Sequence, residues 1–140
     1  MKTAERYVFD SYALLAFLDE EAGAAAVEEI LAACGREEAA AWLSVVNLGE
    51  VLYITEREQG LPEAQKAVAV IDQLPVRVAV ADRGRTFAAA HLKAHHAISY
   101  ADAFAAALAQ EVDGPVVTGD PEFAQIEDLV AVHWIGREES

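Results

Sequence analysis

Short apolar runs and amphipathic stretches alternate along the whole chain, and their periodicities predict the elements. Tyr7-Val8-Phe9 is an apolar run stopped by Asp10-Ser11, a first strand followed by helix-start chemistry. Ala13 to Leu18 reads as a short helix, and Glu21 to Cys34 as a second, ended by Gly35. Ala41 to Ser44 is a second strand, followed by a helix through Glu50, Val51 and Ile54 that closes at Gly60. Leu61-Pro62-Glu63 opens another helix with proline near its first position, running to Leu74-Pro75. Val76 to Ala81 is β-branched and predicts a strand. Asp82 begins a helix to about His96, and Ser99 begins one carrying Tyr100, Phe104, Leu108 and Glu111. Val116 to Thr118 is a strand. Val130 to Ile135 is a last one, after a turn over Pro121 to Ile126. Strands that alternate with helices predict βαβ units, hence a three-layer α/β domain over residues 1–140 with a parallel sheet of about five strands.

Acidic residues recur where these strands hand over to helices: Asp10, Glu50, Asp102 and Asp120. In an open α/β sheet such junctions share the carboxyl edge, where ligands bind. Carboxylates scattered through the sequence would therefore meet in one cleft. Like charges there need a counter-charge, and hard divalent cations prefer oxygen donors. Each acid has a plainer explanation. Asp10 and Asp120-Pro121 are good helix N-caps, and Asn47 with Glu50, or Ser99 with Asp102, has the spacing of a capping box. Asp82 caps a helix with no evident chemistry. The conjunction favours a site: Glu50 falls within a helix, where no cap is needed, and Asp102 is surrounded by Ala101, Ala105 and Ala106. Ser11 and Thr118 add hydroxyls beside Asp10 and Asp120, and Glu122 is a further acid that a turn explains equally well.

Taken together, Val8-Phe9-Asp10-Ser11, Asn47-Leu48-Gly49-Glu50, Ser99-Tyr100-Ala101-Asp102-Ala103 and Thr118-Gly119-Asp120-Pro121-Glu122-Phe123 resemble the PIN-domain ribonucleases, and among them the VapC-type toxins of bacterial toxin–antitoxin modules. The resemblance implies a PIN-like fold and a metal-dependent endoribonuclease. Asp10, Glu50, Asp102 and Asp120 would bind Mg²⁺, or Mn²⁺ in its place, supported by Ser11 and Thr118. It also implies an RNA substrate, a cognate antitoxin and a homodimer. A phosphohydrolase using Asp10 as nucleophile is a rival, but the haloacid-dehalogenase-like pattern needs a second Asp where Tyr12 stands. A catalytically silent PIN-like binding module is the rival from another class.

Charge changes the picture of the substrate surface. The chain of 140 residues has a formal net charge of −14, which opposes loose binding to phosphates. The most basic stretch, Arg83, Arg85 and Lys93 with His91, His95 and His96, supplies the candidates for RNA contact. The histidines also suit a helix C-terminus. Cys34 is the single cysteine, so no disulfide framework exists and a reducing cytoplasm is the expected setting. Trp42 and Trp134 read as core or interface aromatics. No window approaches the apolar length of a membrane span, and no signal-peptide pattern precedes Asp10. The first two helices carry more apolar residues than one buried stripe needs: Ala13, Leu14, Phe17 and Leu18, then Ala24 to Val27, Ile30 and Leu31. That surplus suggests a groove for an antitoxin helix, ordinary packing being the alternative. An inhibitor's arginine could also pair with the acidic cleft.

Overall fold

The computed structural model describes residues 4–136; the ends of the expected 1–140 domain lie outside them. The elements follow in the order β1 (Glu5–Phe9), α1 (Ser11–Leu18), α2 (Ala24–Gly35), β2 (Ala39–Ser44), α3 (Val45–Gln59) and α4 (Leu61–Asp72). Then come β3 (Val76–Ala79), α5 (Arg83–His95), α6 (Tyr100–Val112), β4 (Val116–Thr118), a 3₁₀ turn (Pro121–Ile126) and β5 (Val132–Trp134). All five strands are parallel, in the order β3-β2-β1-β4-β5. The order reverses between β1 and β4, which makes their carboxyl ends the switch point where such sheets bind ligands.

Alternation along the strands divides the core in two. Val8 and Val116 face α5 and α6, together with Trp42 and Trp134, which are only partly buried. Phe9, Leu43 and Val117 face the other way, onto α1, α2 and parts of α3 and α4. This is the expected three-layer α/β/α arrangement. Helix α6 is buried all round from Asp102 to Ala109, because five alanines let it approach both the sheet and α5.

Element ends depart from the sequence reading where side chains intervene. Strand β3 stops at Ala79 rather than Ala81, since the Val80 carbonyl accepts a hydrogen bond from the Arg85 guanidinium. Helix α2 begins at Ala24, not Glu21, because the chain passes through the left-handed region at Glu20 and at Gly23 (φ 98°). Strand β5 starts only at Val132, as the Val130 N–H is used to close the preceding turn on Ile126.

The groove expected on α1 and α2 needs correction. Ala13, Leu14, Val27, Ile30 and Leu31 are buried against the sheet, so ordinary packing accounts for them. Phe17, Leu18, Ala24 and Ala26 stay partly exposed, and Ala25 exposed. Cys34 is buried as a small hydrophobe. No helix among the described residues is long and apolar enough to cross a membrane.

Truncating a buried leucine costs about 2–5 kcal/mol. Leu14→Ala should therefore lower the unfolding free energy by that amount in urea denaturation, and Phe17→Ala by clearly less. Equal losses at the two positions would place Phe17 in the core as firmly as Leu14.

Candidate active site

The carboxyl ends of β1 and β4 hold Asp10 and Thr118 side by side. Asp10 is buried and both its oxygens are used: Oδ1 accepts the Ala13 N–H at 2.9 Å, and Oδ2 accepts the Thr118 hydroxyl at 2.5 Å. Thr118 Oγ1 in turn accepts the Asp120 N–H at 2.9 Å, so one hydroxyl couples the two strand ends. Gly119 lies between them because a Cβ there would come within 2.7 Å of the Ile135 carbonyl and run into the Tyr12 ring. Asp120 caps the 3₁₀ turn by accepting the Glu122 N–H at 2.9 Å.

Asp102 enters from α6. The Ser99 hydroxyl accepts the Asp102 N–H at 3.1 Å, which is half of a capping box. The other half is not made by Asp102. Glu122 accepts the Ser99 N–H instead, at 2.7 Å. Relieved of capping, the buried Asp102 carboxyl keeps an oxygen, Oδ2, with no hydrogen-bond partner. One carboxylate oxygen from each of Asp102, Asp120 and Glu122 lies within 4.8 Å of the others.

Glu50 comes from the second turn of α3, whose N-cap is Ser44, so the Asn47–Glu50 capping box does not form. Glu50 accepts a short hydrogen bond from Ser11. Ser11 Oγ also accepts from the Asn47 amide at 3.2 Å, and the same amide donates to the Ala101 carbonyl at 3.3 Å. The wholly buried Asn47 thus ties α1, α3 and α6 together beneath the acids.

Electrostatics reflect this crowding. Burial pushes the Asp10 carboxyl up to about 7 against the opposing pull of the Thr118 hydroxyl and the Ala13 N–H, and Asp120 and Glu50 add to the rise. Burial also raises Asp102, as do its bond with Glu122 and the nearby Asp120 and Asp10. Glu122 moves the opposite way, held low by Asp102, the Ser99 N–H and the Lys93 ammonium. Of this pair, Asp102 therefore holds a proton more tightly than Glu122.

The structure gathers Asp10, Asp102, Asp120, Ser11 and Thr118, with Glu50 close enough to act on Asp10. Glu122, which the sequence left ambiguous, sits inside the group. Of the three cations expected to contact RNA, Lys93 lies near enough to influence Glu122. Arg85 does not join the site: its guanidinium grips Glu111 with two 3.0 Å bonds and also faces Asp82. Glu111 is nine residues beyond Asp102 on α6, about 13 Å along the axis. Arg83, two residues from Arg85 at the same end of α5, stacks on Phe87. His91 and His95 stack edge-to-face on each other, and neither they nor His96 join a three-ligand cluster among the described residues.

Residues 7–129 match the PIN domain, and the chain belongs to that family. No curated protein matches it in sequence. Among solved structures, the fold is similar to a chain of VapBC2 from Rickettsia felis bound to a DNA fragment from its promoter. That match has a TM-score of 0.74 and 13% identity, covering 93% of this chain and 98% of the other. DNA-bound VapBC from Salmonella typhimurium matches with a TM-score of 0.73 and 16% identity over 92% and 97% of the two chains. VapC20 from Mycobacterium tuberculosis, a toxin that cleaves the sarcin-ricin loop, matches with a TM-score of 0.69 and 19% identity over 84% and 92%. At these identities the likeness is one of fold.

A carboxyl raised by folding binds its proton more tightly in the native state. Its contribution is full below about pH 4 and is lost as pH rises through the native value. Metal-free protein should therefore melt at progressively lower temperature between pH 5 and pH 8. Asp10→Asn should remove much of that slope, as much as about 4 kcal/mol for a shift of this size. Melting temperatures that rise with pH over this range, or an unchanged slope in Asp10→Asn, would contradict the assignment.

Proposed function

We propose that the chain is a metal-dependent endoribonuclease and the toxin of a toxin–antitoxin pair. One observation carries the reading: the buried Asp102 carboxyl keeps an oxygen, Oδ2, that no donor hydrogen-bonds, in a residue grouped with the acids Asp120 and Glu122. A buried group of this kind is costly to leave unpaired, and the donor set of hard oxygens suits Mg²⁺ or Mn²⁺. Asp10, Asp102, Asp120 and Glu50 are the residues that would hold the cation, with Glu122 beside them. Bound there, it would lower the pKa of a water and offset the charge of a scissile phosphodiester.

The chain's own groups prepare that site. Thr118 orients Asp10 and the backbone of Asp120 through one hydroxyl. Ser11 and Asn47 fix the direction of Glu50. Glu122 caps α6 in place of Asp102, and so keeps the Asp102 carboxyl turned to the cleft. Without a cation, protons on Asp10 and Asp102 relieve the repulsion, so loading near neutral pH must displace them.

Membership of the PIN family supports nuclease chemistry, and the VapC20 match supports RNA as substrate. The VapBC complexes among the similar structures support an antitoxin partner, and a homodimer and a cytoplasmic setting are proposed with it. The family match over residues 7–129 supports a single domain.

Losing a partner that merely orients a metal ligand costs about 10–100-fold, so losing a ligand should cost at least about a hundredfold. Asp102→Asn should thus abolish cleavage of unstructured RNA with Mg²⁺ or Mn²⁺ while the protein keeps a cooperative melt. Chelator should silence the parent. Cleavage that survives both treatments would end the metal-nuclease reading, and a parent that binds RNA without cutting it would favour a silent PIN-like module.

A further inference from the structure

Outside the carboxylate group, helix α3 presents Glu50, Tyr53 and Arg57 at spacings of three and four, which places them on one face. The Tyr53 hydroxyl lies 3.5 Å from the Glu50 carboxylate. The Arg57 guanidinium covers the Tyr53 ring, 5.1 Å from its centroid. Tyr53 is nevertheless 50% exposed. Among the described residues Arg57 makes no ion pair, whereas Arg36, Lys66 and Arg85 are each held by an acid. A line of aromatic and cationic groups thus starts at a carboxylate of the cleft and runs outward along the helix.

The chain needs such a feature if it handles RNA. A net charge of −14 gives no general attraction for phosphates, so affinity has to come from local groups. Unpaired bases stack on aromatic rings whatever their sequence, and a guanidinium pairs with phosphate through two parallel bonds. Base-paired RNA keeps its ring faces hidden and would gain little from an exposed tyrosine.

We propose that the Glu50–Tyr53–Arg57 face of α3 is the track along which unpaired RNA leaves the carboxylate cleft, with a base stacked on Tyr53 and a backbone phosphate on Arg57. This rests on the ribonuclease reading above. Glu56 and Glu58 flank Arg57 in the chain, so the track offers a single phosphate contact.

Fluorescence anisotropy with a labelled, unstructured RNA oligonucleotide tests the track, using an Asp102→Asn background that leaves the RNA intact. Tyr53→Ala should weaken binding about tenfold, the low-to-middle range for one base–aromatic stack. Tyr53→Phe, which keeps the ring, should bind within about twofold of that background. Arg57→Ala should weaken binding and reduce the salt dependence by about one phosphate contact. The same sequence annealed into a duplex should respond little to any of these changes. If the parent cuts RNA yet Tyr53→Ala and Arg57→Ala bind it as the background does, the track is wrong and the nuclease reading stands. A parent that neither cuts nor binds RNA overturns both. Equal losses on duplex and unpaired RNA would refute selection for unpaired bases. Unchanged RNA binding with lowered melting temperature would make the Tyr53–Arg57 stack a purely structural pair.

Discussion

Carboxylates repel one another, and the repulsion grows as water is excluded. Asp10 and Asp102 are buried at the point where the strand order reverses, with the partly buried Asp120 and Glu122 beside them. Everything around them limits that strain. Thr118 and the Ala13 N–H favour ionised Asp10, burial opposes it, and the balance leaves Asp10 titrating near neutrality. Within the pair it forms with Glu122, Asp102 is the carboxyl pushed toward its protonated form. A divalent cation would do what the protons do, and would satisfy the oxygen they leave unpartnered.

The same constraint explains why capping and site chemistry coexist. A carboxylate has two oxygens, and a cap needs only one. Asp10 uses Oδ1 to cap α1, and Asp120 uses one oxygen to cap the 3₁₀ turn. Sequence alone could treat cap and site only as competing explanations of each acid. Strands β1, β2 and β4 and the parallel sheet were legible because apolar runs ended at Asp10, Ser44 and Thr118. The role of Glu122 was not, since its partner Ser99 lies 23 residues away and the exchange of capping duties depends on tertiary contact. Asn47 was likewise hidden: local spacing suggested a cap, while its bonds run to Ser11 and Ala101.

Charge placement was the least legible feature. Counting basic residues along the chain pointed to α5, but α5 runs antiparallel to α6, which carries Arg85 to Glu111 at the far end of that helix. Arg57 stands alone in the sequence between Glu56 and Glu58, and only the fold aligns it with Tyr53 and Glu50. In the first two helices, apolar surplus proved mostly to be core, because α1 and α2 pack on the sheet through adjacent faces.

If protons and cation are alternative occupants of one acidic pocket, binding one must expel the other. Titrating Mn²⁺ into the protein at pH 7 by calorimetry, in buffers of different ionisation enthalpy, counts the protons released. The account predicts net release of about one proton or more per protein at saturation, falling in Asp102→Asn. Saturable binding with no proton release, or no binding at all, would contradict it.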